Sequence, residues 1–415
     1  MKRGSFLYYW IAHSSISLAG VVYLMVLTTF MYQESGSAFI AALFPLFNAV
    51  ARFLAGFTAP LVMEKFSFSK LLVRLQVMKV LLLTTLVIIF PYISSQVYIL
   101  CIFILLIAFT EGWGNPLIQS MVPRMVAPDR LVKANSSLSV TSQSLQIAGY
   151  TFTGFVVIRF GHMPTLIISC LLVWLSVICL WIAVRSMKEK EPAGGGQEKP
   201  SWEVIREGWL YLWRIPTLRL ITMMDMIEGA AGAIWVGAIT LVFVNEVLHQ
   251  GEAWWGFINA SYYIGAIAGG LLTLLISSFI QKNLIACMAA GSAVFSLLTL
   301  WYGLNSIPVM ALILCIAMGP AYQLRDVAQQ TAFQSAVDHQ MLPKVYASRD
   351  ILISTITSIS MAASGLIADT LGIRMVYIAG SVCIAISAGL SFMILKLQKN
   401  AITTLAAEAT DSPLS

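Results

Sequence analysis

Twelve hydrophobic stretches, each long enough to cross a bilayer as a helix, fill almost the whole chain. They lie near residues 6–32, 37–61, 71–91, 96–120, 134–158, 163–185, 217–245, 252–277, 284–303, 307–333, 349–369 and 374–396. Hydrophobic residues make up 59% of the chain and charged residues only 11%, with a mean hydropathy of +0.83, which excludes a water-soluble fold. Because lipid cannot satisfy backbone hydrogen bonds, the pattern predicts an all-α integral membrane protein with twelve transmembrane helices.

Basic residues are distributed unevenly between the connecting segments, and this predicts the orientation. Of the 25 Lys and Arg residues, 20 fall in alternate loops or at helix ends that share one side, whereas Arg159 and Arg374 fall on the other. By the positive-inside rule the richer side is cytoplasmic, which places both termini in the cytoplasm. The net charge of +6 is therefore explained by the concentration of basic residues on the cytoplasmic side of the inner (cytoplasmic) cell membrane. We expect no nucleic-acid partner.

One long polar segment divides the chain into predicted regions. These are an N-terminal six-helix bundle over 1–185, a cytoplasmic linker over 186–216, a C-terminal six-helix bundle over 217–396 and a cytoplasmic tail over 397–415. Within the linker, a glycine-rich run indicates flexible chain, and the apolar spacing over 201–214 predicts an amphipathic helix at the inner membrane surface. The tail is polar from Ala401 onward, and we expect it to be disordered.

The two halves of the chain are related in sequence. Gln-Ser-Met-Val at 119–122 recurs as Gln-Ser-Ala-Val at 334–337, a displacement of 215 residues. In the first and seventh spans, Gly20 and Gly232 correspond at a displacement of 212. With six spans in each half, these matches predict two pseudo-symmetric bundles that arose by duplication.

Ionisable residues inside the spans are the strongest functional signal. A charged side chain in a spanning helix costs about 2.5–3.5 kcal/mol on insertion scales, so it usually faces a partner or a water-filled path. Burial and like-charge repulsion both favour the protonated form of a carboxyl group, which can then carry a proton. The candidates for proton coupling are Asp225, Glu228, Glu111 and Asp326. The first two stand one helical turn apart and are expected to share a face.

Other polar and aromatic residues at similar depth are candidates for lining a substrate cavity. They are His13, Arg52, Trp113, Asn115, Trp235, Tyr322 and Arg325. Each has a structural alternative. Arg52 either neutralises Glu111 or binds cargo, His13 carries a proton or makes a structural hydrogen bond, and the aromatic rings stack on cargo or simply pack. Arg325 and Asp326 are adjacent, so only one of them can face the centre of a cavity.

The stretch 121–155 resembles the fourth loop and fifth helix of bacterial exporters in the major facilitator superfamily, in the branch of macrolide, siderophore and lysophospholipid exporters. The resemblance implies the major facilitator fold, with the first, fourth, seventh and tenth helices around a cavity. It also implies a conformational-switch loop after the second helix, where Glu64 and Lys65 keep the family's acid–base pair while Pro60 and Ser67 replace its glycines. The family's antiporter proline is absent between Gly149 and Gly154.

These observations lead to a functional expectation. Four acids against two arginines and one histidine favour proton-coupled export of amphipathic cationic or zwitterionic small molecules by alternating access. A siderophore, metallophore or lysophospholipid carrier is the alternative, and a membrane sensor or assembly partner of this fold that moves no solute is the alternative of another class. We expect small-molecule cargo, protons and the lipid bilayer as partners, and a monomer.

No enzymatic chemistry is expected. The sequence contains no P-loop, zinc pattern or nucleophile elbow, so we expect no catalytic residues, no cofactor and no metal site. All six cysteines lie inside apolar segments, where they are expected to pack as small core residues.

Overall fold

The computed structural model describes residues 3–35, 38–93, 96–185, 201–235 and 237–411. Within these ranges the chain forms sixteen α-helices. They are α1 Arg3–Ser35, α2 Ala38–Lys65, α3 Phe68–Ile93, α4 Val97–Gln119, α5 Val122–Met125, α6 Leu131–Phe160, α7 His162–Arg185, α8 Ser201–Arg214, α9 Pro216–Gly232, α10 Gly237–Glu246, α11 Glu252–Leu275, α12 Ser277–Lys282, α13 Leu284–Leu304, α14 Pro308–Ala336, α15 Leu342–Leu371 and α16 Ile373–Asp411. The remainder of the predicted linker, 186–200, lies outside the described residues.

The prediction of an all-helical membrane protein is confirmed. Ten of the described helices are long and apolar enough to cross a membrane. The fifth predicted span corresponds to α6, whose 30 residues include a polar stripe that lowers its mean hydropathy. The seventh predicted span, 217–245, is wrong as one continuous helix, because a short 3₁₀ turn over Ala233–Trp235 separates α9 from α10. Gly232 and Gly237 flank this break, and glycine weakens a helix interior.

The predictions for the linker and for the tail have different outcomes. The amphipathic helix expected over 201–214 is confirmed as α8. The tail, in contrast, is not disordered from Ala401, because α16 continues to Asp411. This extension is rich in alanine and also contains leucine and glutamate, which are strong helix formers, and that propensity outweighs its polarity.

The described structure divides into two compact units. Unit 1 contains 1–128, 141–211 and 337–351, and unit 2 contains 129–140, 212–336 and 352–415. Apolar side chains of α1, α2, α3, α4 and α7 form the core of unit 1, with Tyr23 and Phe44 among the most deeply buried. In unit 2, Phe243, Tyr302 and Tyr377 pack ring against ring, with centroids 4.8–5.1 Å apart. The predicted end of the N-terminal bundle at residue 185 and the predicted start of the C-terminal bundle at residue 217 stay predictions.

Small residues allow close helix packing inside unit 2. A Cβ atom on Gly319 of α14 would lie 1.9 Å from the carbonyl carbon of Gly265 on α11, and one on Gly269 would lie 2.5 Å from the Cα atom of Pro320. Helices in lipid gain stability from such van der Waals contact, since lipid tails are as apolar as the side chains. Any side chain at these glycines is therefore expected to push α11 and α14 apart.

The duplicated sequence produces duplicated contacts. In unit 1 the Gln119 amide donates a hydrogen bond of 3.1 Å to Asp350. In unit 2 the Asn135 amide donates one of 2.9 Å to Gln334. Gln119 and Gln334 are 215 residues apart, and so are Asn135 and Asp350, which is the displacement predicted from sequence. The same pair of helix ends therefore meets twice, with donor and acceptor exchanged.

The membrane orientation gives the first testable prediction. In a variant without native cysteines, single cysteines at Ser67, Gly195 and Gln340 should resist an impermeant thiol reagent in intact cells. A cysteine at Ser94 should react. From sequence, the charge distribution between loops predicts that the first three lie on the cytoplasmic side and Ser94 outside. Labelling of the first three together with protection of Ser94 would reverse the orientation.

Candidate functional site

A cavity of about 510 Å³ opens within unit 1, between α1, α2, α3, α4 and α6. Three predicted cavity residues, His13, Arg52 and Asn115, line it together with Glu111. The remaining predicted residue of this unit, Trp113, is not among its lining residues. The Trp113 indole donates a hydrogen bond of 2.8 Å to Thr58, which joins α4 to α2.

Glu111 forms a buried ion pair, and its partner is Lys79 of α3 rather than Arg52. The Lys79 Nζ atom lies 2.6 Å from the Glu111 carboxylate, and the two side chains are 2% and 12% exposed. Tyr23 packs beside the pair, with its ring 5.8 Å from the ammonium group and its hydroxyl accepting a hydrogen bond from Asn48. Sequence reasoning missed this pair, although a lysine inside a span signals by itself that an acid is near.

Arg52 also lines this cavity, but it does not form the ion pair with Glu111. Its side chain is exposed and lines the cavity, while its charge still acts on Glu111. The close approach of α2 and α4 depends on Gly112, where a Cβ atom would lie 2.9 Å from the Arg52 carbonyl oxygen and 2.5 Å from the Ala55 Cβ atom. Lys79, and not Arg52, forms the ion pair with Glu111, and binding of cargo by Arg52 stays a prediction.

His13 occupies the end of the same cavity. Its ring stacks on Tyr9 at a centroid distance of 6.0 Å, and the Tyr9 hydroxyl donates to the Ile118 carbonyl at 2.9 Å. The His13 Nδ1 atom is buried and has no hydrogen-bond partner among the described residues. A structural hydrogen bond through Nδ1 is thus not formed in this part of the chain.

The two predicted acids of α9 meet in unit 2. The Gln329 amide of α14 donates to Asp225 at 2.7 Å and to Glu228 at 3.2 Å, so a single side chain joins both carboxyl groups. Glu228 also accepts a hydrogen bond of 2.6 Å from Ser387 and lies 3.5 Å from the Arg325 guanidinium. Asp225, Glu228 and Arg325 are all buried.

Arg325 and Asp326 are adjacent on α14 and point in different directions, as helix geometry requires: Arg325 lines a cavity and Asp326 is not among its lining residues. Arg325 lines a second cavity of about 260 Å³ in unit 2, together with the predicted residues Trp235 and Tyr322. Its guanidinium lies 4.7 Å from the ring centre of Tyr322. Asp326 is partly buried and acts electrostatically on Tyr322 and Tyr262 as well as on Arg325. Two carboxyl groups, those of Glu228 and Asp326, therefore act on the Arg325 guanidinium.

The predicted switch loop makes contacts that sequence reasoning did not identify. Lys344, near the start of α15, forms ion pairs with Glu64 at the end of α2 and, at 2.7 Å, with Glu207 of α8. A Cβ atom on Gly208 would lie 2.6 Å from the Lys344 carbonyl oxygen, so α8 packs directly against this turn. Lys65 is exposed. The loop, the amphipathic helix and α15 are thus joined through one lysine.

Many apolar helices of membrane-spanning length, with ionisable groups buried around polar cavities, define a multi-pass membrane transport protein. Residues 5–348 match the sequence profile of the Major Facilitator Superfamily, and the chain belongs to this family. It is therefore a secondary transporter and not an enzyme.

Relatives and solved structures agree with this assignment. The chain is 34% identical to the uncharacterized MFS-type transporter YfmI of Bacillus subtilis (96% of this chain and 98% of that protein) and 31% identical to YjbB of the same bacterium (89% and 90%). A bacterial homologue of the iron transporter ferroportin has a TM-score of 0.75 at 10% identity, covering 94% of this chain and 98% of the other. The Escherichia coli fucose:proton symporter FucP has a TM-score of 0.71 at 13% identity, covering 94% and 99%. At these low identities, the two solved structures show only that this chain shares their fold.

Proposed function

We propose that this chain exports amphipathic cationic or zwitterionic small molecules across the cell membrane in exchange for protons. The observation that carries the proposal is the pair of buried carboxyl groups that one glutamine amide joins in unit 2. Gln329 donates to both Asp225 and Glu228, and Glu228 also lies in an ion pair with Arg325. If both acids were ionised, two negative charges would repel each other in a buried environment.

Such a cluster favours proton uptake. Leaving a buried charge without a partner costs several kcal/mol, and a carboxyl group avoids that cost by binding a proton. Glu228 lies in an ion pair with Arg325 and accepts hydrogen bonds from Ser387 and Gln329. The same Gln329 amide also donates to Asp225. At least one of these two acids takes up and releases a proton as the site is exposed alternately to the two sides of the membrane. Cargo with a positive charge would compete for the same acid.

The direction of transport is supported by sequence. The stretch 121–155 resembles the fourth loop and fifth helix of bacterial exporters in this family. Within the structure, this stretch contains α5 and most of α6, including Asn135 and its contact with Gln334. We therefore propose export rather than import, with both termini in the cytoplasm.

A siderophore, metallophore or lysophospholipid carrier is the second candidate function. Arg52 favours it, because an arginine exposed in a cavity can bind the anionic groups that such molecules carry.

A transport screen in inverted membrane vesicles tests the proposal. Vesicles that contain the protein should accumulate a subset of amphipathic cations and zwitterions when their interior is made acidic, and accumulation should stop when an ionophore removes the pH gradient. Vesicles with the doubly substituted variant D225N/E228Q provide the control. Accumulation that follows a sodium gradient and ignores pH would contradict proton coupling.

A further inference from the structure

We propose that the cavity of unit 1 is an anion subsite, in which Arg52 binds a carboxylate or phosphate group of an amphipathic ligand. This inference rests on the proposed transport function and deepens it, because it assigns one chemical group of the cargo to one side chain. The second cavity, in unit 2, is not part of this subsite.

The charge balance of the cavity supports an anionic group. Among its described lining residues, the charged side chains are Arg52, Lys79 and Glu111, and the other titratable ones are His13, Tyr23 and Tyr150. Lys79 and Glu111 neutralise each other at 2.6 Å. Arg52 thus supplies the net positive charge, on an exposed guanidinium that cannot be deprotonated. A guanidinium presents paired N–H donors that match the two oxygens of a carboxylate or phosphate.

The arginine that lines the cavity of unit 2 is already engaged. The Arg325 guanidinium lies 3.5 Å from Glu228 and is held over the rings of Tyr322 and Phe295 at 4.7 and 5.8 Å. It is 6% exposed as a residue. Arg52 is exposed and forms no ion pair among the described residues, so an incoming anion reaches it without displacing one there.

Polar atoms deeper in the cavity indicate a second group on the ligand. Gln76 is 5% exposed, and its Oε1 atom accepts no hydrogen bond among the described residues. The Nδ1 atom of His13 is likewise buried and unpartnered in this part of the chain. Because an unsatisfied buried polar atom costs free energy, a ligand hydroxyl or N–H group that reaches them would be stabilised.

The rest of the wall combines uncharged polar side chains, such as Thr28 and Asn48, with apolar ones. Ile16, Leu24, Leu75 and Ile118 contribute to the lining. The cavity volume of about 510 Å³ lies within the usual range of roughly 300–1,000 Å³ for small-molecule sites. An amphipathic ligand with one anionic end and an apolar body of moderate size fits this combination.

Binding of four matched probes to the purified full-length protein in detergent tests the inference. Hexyl phosphate, hexanoate, hexyltrimethylammonium and hexanol share one alkyl chain and differ in charge, and titration calorimetry against protein-free micelles corrects for partitioning. We expect at least one anion to bind more tightly than the cation and the alcohol. The anion with the higher affinity distinguishes a phosphate ligand from a carboxylate ligand.

Two variants decide the role of Arg52. R52Q should weaken binding of the preferred anion roughly tenfold or more, since it removes a charge-assisted contact. R74Q, which removes an exposed arginine of α3 outside the cavity lining, should leave it unchanged. Anion binding that is equal in R52Q and the original protein, or preference for the cation, would overturn the inference.

A second route covers the case in which R52Q fails to fold. N115D adds a carboxylate to the same cavity at a partly buried position with almost no change of shape. It should weaken binding of the preferred anion and leave hexanol unaffected, and an unchanged anion affinity would contradict the subsite. These measurements use no gradient, so a failure of proton coupling leaves their outcome intact and is detected separately in vesicles.

Discussion

Neutralising Asp225 and Glu228 together should abolish accumulation of cargo against its gradient while preserving exchange of cargo across the membrane. Asn and Gln keep the shape of the two side chains but cannot release a proton. Exchange needs no net proton movement, so it should continue in D225N/E228Q. D225N and E228Q, made singly, should show which of the two acids carries the proton, since loss of accumulation in one single variant identifies it. Cargo uptake in proteoliposomes, with and without a pH gradient, measures both activities.

The matched control for these variants is E246Q. Glu246 is exposed at the end of α10, so its neutralisation should change neither activity. Equal loss of binding, exchange and accumulation in D225N/E228Q would assign the two acids to cargo binding. Full accumulation in the double variant would refute their role in coupling and direct attention to Glu111 and Asp326.

Removing the positive charge of Lys79 should cost about 3–5 kcal/mol of unfolding free energy, because K79M leaves Glu111 buried without its partner. The double variant K79M/E111M should recover much of that loss, since it leaves no uncompensated charge. Unfolding in mixed detergent micelles, followed by tryptophan fluorescence, gives the free energies, and thermal melts give an independent ranking.

Arg52 provides the comparison for Lys79. R52M should destabilise the protein much less than K79M, because the Arg52 side chain is exposed while Lys79 is 2% exposed. Additive losses for K79M and E111M would show that the two residues are not coupled. A larger loss for R52M than for K79M would assign the structural role to Arg52.

Hydrophobic pattern and internal repetition were sufficient to predict most of the helices and the repeated half of the chain. Spans of about twenty apolar residues can hardly form anything except helices in lipid. The displacement of 215 residues, noticed from Gln119 and Gln334, reappears as the equivalent contacts with Asp350 and Asn135. The amphipathic spacing over 201–214 predicts α8, since its period can be read without knowing what surrounds the helix.

The partners of buried charges could not be predicted in the same way. Lys79 and Arg52 both lie inside spans, and the choice between them as partner of Glu111 depends on the rotation and tilt of α2 and α3, which periodicity does not determine. Lys344 joins Glu64 across 280 residues of sequence, and nothing in either local sequence specifies the other. The break over Ala233–Trp235 was also missed, because the residues around it are apolar enough to read as one span.

Proton movement during transport is the most direct test of the central claim. The purified protein is reconstituted into proteoliposomes that contain a pH-sensitive dye, and a cargo identified in the vesicle screen is added on one side without an imposed gradient. The account predicts a change of internal pH that reports protons moving opposite to the cargo and that is absent in D225N/E228Q. Cargo uptake at an undiminished rate with no change of internal pH would contradict it.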